Sequence, residues 1–97
     1  MARGDVAGSA ITSVAGAGNL DFQPAAGVEV MIMAWGRNIA TDVNLAYFNG
    51  TNEAFTDSYS SAYNHTVRQP CTNAIYSRVL NDSAGAAICV QRGVETK

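Results

Sequence analysis

Side chains able to do acid–base or nucleophilic chemistry are few in this chain. It has one histidine, His65, two cysteines, Cys71 and Cys89, and one lysine, Lys97. General acid–base and nucleophilic catalysis use His, Cys, Lys or paired carboxylates held in one place. A dyad of His65 with Cys71 or Cys89 is formally available, but the pattern favours a surface histidine beside a structural thiol. Asp42, Glu53 and Asp57 offer oxygens of the kind a hard cation such as Ca²⁺ takes. They lack the spacing of a cation-binding loop and read as solvated loop carboxylates. There is no CxxC pair and no Cys/His cluster at metal-ligand spacing. No catalytic, cofactor-binding or metal-binding residue is therefore assigned, and the chain reads as non-enzymatic. The cysteines read as two semi-buried free thiols, with a disulfide within the chain or between subunits as the alternative.

What remains for such a chain is binding and assembly, and the composition points the same way. Only 14% of its 97 residues are charged, against roughly 25% in an ordinary soluble domain. Ala, Gly, Ser, Thr and Asn fill the deficit, and a surface of that kind suits association. Five Arg residues are scattered at Arg3, Arg37, Arg68, Arg78 and Arg92. They form no basic stripe, so nucleic acid is not an expected partner. No apolar run approaches the roughly 18 residues of a membrane span. The segment after Met1 has no apolar h-region of a signal peptide, which implies synthesis in a cytoplasm.

The elements that must position any contact surface are strands. Helical periodicity is absent, and short β-branched and aromatic runs are punctuated by turn residues. The pattern predicts an all-β fold, a small antiparallel β-sandwich of jelly-roll-like type with about seven or eight short strands. Residues 1–9 are expected as a flexible N-terminal arm, with one sandwich domain over 10–97. Val28 to Trp35 is the clearest strand. Strict alternation puts Val28, Val30, Ile32 and Ala34 on one face and Glu29, Met31, Met33 and Trp35 on the other. Gly36-Arg37-Asn38 is expected to end it. Asn49-Gly50 predicts a two-residue hairpin turn between Thr41–Phe48 and Thr51–Thr56. Asp57 to His65 reads as a long loop, or as a poorly patterned strand. Asn73–Leu80 and Ala86–Val94 are expected to form a second hairpin across Asn81–Gly85, with Cys89 near Arg78.

Two groups of residues are candidate oligomer or partner contacts. Met31, Met33 and Trp35 would give a strand face too apolar for water, needing cover from a loop or a neighbouring subunit. Tyr59 and Tyr63 lie in a Tyr/Ser/Asn-rich segment whose composition resembles an antibody-type contact loop. Arg3-Gly4-Asp5 matches an integrin-binding tripeptide too short to be specific. The sequons at Asn49, Asn64 and Asn81 read as turn chemistry.

The segment Pro24-Ala25-Ala26-Gly27-Val28-Glu29-Val30 with its apolar strand, and the segment from Asn73-Ala74-Ile75-Tyr76-Ser77-Arg78-Val79-Leu80-Asn81 to Gly93-Val94, resemble the small β-sandwich structural proteins of tailed bacteriophages. The capsid decoration, or cement, proteins look closest. The resemblance implies a virion protein made in a host cytoplasm, with no catalytic residues to carry over. It further implies that the chain associates with itself, as a homotrimer, and with the major capsid protein or another virion protein. The competing reading is a tail or tail-fibre module that uses the Tyr59–Asn64 segment on a host surface glycan or on another virion protein.

Overall fold

In the structure, a computed structural model, residues 4–38, 43–57 and 64–97 are described. They form β1 (Val6–Gly8), β2 (Thr12–Val14), β3 (Gly18–Phe22), β4 (Val30–Arg37), β5 (Val43–Phe48), β6 (Glu53–Asp57), β7 (Asn64–Cys71), β8 (Tyr76–Asn81) and β9 (Ala87–Glu95). There is no helix among them. Two antiparallel sheets stack into the expected sandwich. Sheet A runs β1-β9-β4-β7, with β2 on the same edge of β9 as β1, and sheet B runs β3-β8-β5-β6.

The pairing follows one rule. β1 and β2 together act as a single interrupted strand, so the described residues form eight lanes. Each lane pairs with its mirror partner counted from the other end: β1/β2 with β9, β3 with β8, β4 with β7, β5 with β6. This is one long hairpin rolled over on itself, the jelly-roll way of limiting exposed sheet edges. The tip is the β5–β6 turn. It spans four residues, because Phe48 pairs with Glu53. The Asn49 side-chain oxygen accepts the Thr51 and Asn52 amides at 2.9 and 2.7 Å, and Gly50 supplies a φ of 93°. The side-chain cap enlarges the expected two-residue turn.

Four further expectations are corrected. First, residues 4–9 are no free arm: Gly4 N donates to Glu95 O at 2.7 Å, and Val6–Gly8 pair with Arg92–Val94. The lane breaks at Gly8, whose φ is 128° and where a Cβ would overlap the Gln91 carbonyl. Across the break the Ser9 hydroxyl accepts the Gln91 amide at 3.0 Å, replacing a ladder bond. Second, Asn73–Leu80 and Ala86–Val94 are no hairpin. β8 lies in sheet B and β9 in sheet A. The buried Asn81 side chain makes the crossing: its amide nitrogen donates to Val14 O and Gly85 O, both at 2.9 Å, and its oxygen accepts the Ser83 amide at 3.1 Å. Third, His65 belongs to β7, not to a loop. Fourth, β4 runs on through Arg37 and contains a bulge between Ile32 and Ala34.

That bulge changes which side chains share a face. An inserted residue flips every side chain beyond it. Val30, Ile32, Trp35 and Arg37 point inward, and Met31 and Met33 point out. Trp35 is therefore a fully buried core residue, and the expected Met31/Met33/Trp35 face does not exist as one surface.

The interior has two apolar clusters. One holds Trp35, Val43, Leu45, Val79, Ala87 and Cys89; the other holds Ala7, Val30, Ile32 and Cys71. Gln69, Ser77 and Gln91 are buried between the sheets. The Ser77 hydroxyl donates to Gln91 Oε1 and accepts from Gln69 Nε2 at 3.1 Å. Gln69 Nε2 also reaches Ala46 O at 3.1 Å, and Gln91 Nε2 reaches Leu20 O at 3.0 Å. Two amides of sheet A are thus satisfied by groups of sheet B, as burial requires.

Candidate interaction surface

The residues with chemical potential are already engaged. His65 Nδ1 is 3.1 Å from Asp57 Oδ2, and Arg37 Nη1 is 2.8 Å from His65 Nε2. A guanidinium can only donate, so Nε2 accepts and the ring proton sits on Nδ1, facing Asp57. Trp35 Nε1 donates to the same carboxylate oxygen at 2.7 Å, and its ring stacks on His65 at 4.7 Å. With both ring nitrogens taken, His65 does not serve as a base for either thiol. Cys71 and Cys89 are free and buried. Burial pushes the Cys71 thiol up to about 11, against a small opposing hydrogen bond from the Ser77 backbone. Burial also raises Cys89, opposed by the Arg37 charge. Protonated thiols are poor nucleophiles.

The carboxylates considered as cation ligands are separated. Asp57 faces Trp35 and His65, while Glu53 bonds Arg78 at 3.2 Å. Asp42 lies outside the described residues. No group of His, Cys, Asp and Glu able to hold a metal occurs among the described residues.

The strongest surface feature is instead the outward face of sheet A. Antiparallel partners share a face, so the register lines up Val6, Val94, Met31 and Pro70 in one row across four strands. Met33 stands beside that row, lifted outward by the bulge and 43% exposed. Further along β9, Ile88 and Val90 point the same way, and Ile88 is 45% exposed. Ile11, 76% exposed in the break between β1 and β2, closes one side of an open depression of about 330 Å³. Gly36, Ile88, Cys89 and Val90 form the rest of its apolar wall, and Arg37 and Asn38 complete the lining. An apolar face of this kind marks an interaction surface in soluble proteins.

Of the five predicted contact residues, Met31 and Met33 lie on this face, and Trp35 is buried beneath it. Tyr59 and Tyr63 fall outside the described residues. The reading from sequence missed Val6, Ile11, Val90 and Val94. The signal was present in the alternation along β9, but pairing β9 with β8 assigned its outward residues to the wrong sheet.

Another recess is an end groove of about 350 Å³, lined by Tyr47, Ile75, Pro70 and Thr72 beside Glu29. Burial and the neighbouring Cys71 raise the Tyr47 hydroxyl.

No family model, curated protein or solved structure matches the chain. No helix among the described residues is long and apolar enough to cross a membrane.

Proposed function

We propose that the chain is a non-enzymatic virion structural protein of the capsid decoration kind. In this reading it associates with itself and clamps the major capsid protein or another head protein. The observation that carries the reading is the outward face of sheet A, where Val6, Met33 and Ile88 stand exposed beside the half-buried Met31. A monomer in water gains nothing from that arrangement, whereas a subunit covered by its neighbours buries it at about 25 cal/mol per Å². The resemblance of the segments at 24–30 and 73–94 to phage sandwich proteins supplies the setting, a phage head assembled in a host cytoplasm.

The test is light scattering of the purified protein, followed by co-sedimentation with phage heads stripped of decoration proteins. Self-association and head binding are expected, both lost in Met31→Ser/Met33→Ser. A stable monomer with no affinity for heads overturns the reading.

A further inference from the structure

The outward face of sheet A is one-sided in charge as well as apolar. The outward positions of β1, β4, β7 and β9 include no carboxylate, and their only charged side chains are Arg68 and Arg92, both exposed. Arg92 is the next outward residue after Val90, which walls the depression. Its Nη1 donates to Ser9 O at 3.1 Å, which ties the guanidinium to the break in the first lane, two residues before Ile11. A guanidinium has five N–H donors, and Ser9 takes one of them. The result is an apolar seat with a fixed cation on its rim. An oriented Arg fork beside an apolar pocket fits a carboxylate far better than another cation.

We infer that this depression seats an apolar side chain of a partner protein, and that an aspartate or glutamate beside that side chain engages Arg92. The inference rests on the assembly reading above and names the chemistry of the partner. The same face of a second copy is not that partner. Its outward strand positions offer no carboxylate, Glu29 just before β4 is held by Lys97 at 3.4 Å, and face-to-face packing would set arginines against arginines. Arg68, on the far side of β4, adds attraction for the same acidic partner.

The experiment is an amide NMR titration of the full chain with short extended peptides, a method that reads even weak affinities. The peptides share a central leucine and differ only in flanking Asp, Asn or Lys. The Asp peptide is expected to bind about tenfold tighter than the Lys peptide, with shifts at Ile11, Ile88 and Val90. Arg92→Glu reverses the order, and Ile88→Asp abolishes binding of all three. Dichroism spectra confirm that each variant keeps its strands. Equal binding of the three peptides, no binding of any, or an Asp preference that survives Arg92→Glu overturns the inference. Tighter capture by anionic phospholipid vesicles than by the Asp peptide overturns it too. These outcomes separate from failure of the assembly reading, which is decided by head binding in the unsubstituted protein.

Discussion

The two outward faces of the sandwich solve the same problem in opposite ways. On sheet B, Arg78 lies across its sheet neighbours. It holds Asp21 through Nε at 2.6 Å and Nη2 at 2.9 Å, and Glu53 through Nη1 at 3.2 Å. Its guanidinium rests 3.6 Å above the centre of the Phe48 ring, and Phe48 meets Tyr76 edge-on at 5.7 Å. These neighbours hold its proton firmly, with the Asp21 bond the largest cause. Sheet A offers no such covering. Among its outward strand positions the charged residues are two arginines and no acid. The same strand chemistry therefore gives one face largely finished within the chain, with Phe55 left exposed, and one whose apolar residues the described chain leaves open.

The largest effect should separate what lies under the open face from what lies on it. Trp35→Ala removes a fully buried ring and should cost about 3–5 kcal/mol in urea unfolding. Met33→Ala, two residues away, should cost under about 1 kcal/mol. Equal losses would mean that the bulge does not divide the strand as described. A second comparison sets the closed interior against both faces. Below pH 9, Cys71 is protonated folded or unfolded. From pH 9 to about 11 only the unfolded chain releases the proton, so stability should fall through that window. The loss should be on the order of 2 kcal/mol. In Cys71→Ala the slope should shrink, leaving the part due to Cys89 and Tyr47. On the finished face, Arg78→Ala should cost about 1 kcal/mol and should do so less in high salt. The smallest effect belongs to the open face. Met31→Ser with Met33→Ser should leave the melting temperature of the dilute protein nearly unchanged while abolishing association, measured by light scattering.

How much of this was legible in the sequence depends on the range of the signal. Alternation and turn residues are local, and they located most strands and the all-β sandwich. They also placed Val30 and Ile32 inside and Asn49 at the hairpin tip. Pairing is not local. Nothing between Asn81 and Ala87 announces that the chain leaves one sheet for the other, because the crossing is built from Asn81 reaching Val14 far away in sequence. The Met33 bulge was equally hidden, since it arises from two partner strands at once. Glutamine is mostly a surface residue by type, yet Gln69 and Gln91 are buried. Only the stacked sheets reveal that each amide has its answering group on the opposite layer.

The rolled hairpin also sets the order in which the molecule can assemble itself. Among the described strands, β5 and β6 are the only consecutive pair joined by hydrogen bonds. Every other ladder joins segments separated by most of a sheet, up to Val6 with Val94. Topologies dominated by distant pairings fold slowly, on the millisecond to second scale. Closure would therefore start at the Asn49 tip and proceed outward, each ladder shortening the loop the next must close. The last seam is the one that lays Val6 beside Val94 and completes the row of side chains a partner would meet. On that order the outward face of sheet A is a late product of folding, unformed until the rest of the sandwich has closed.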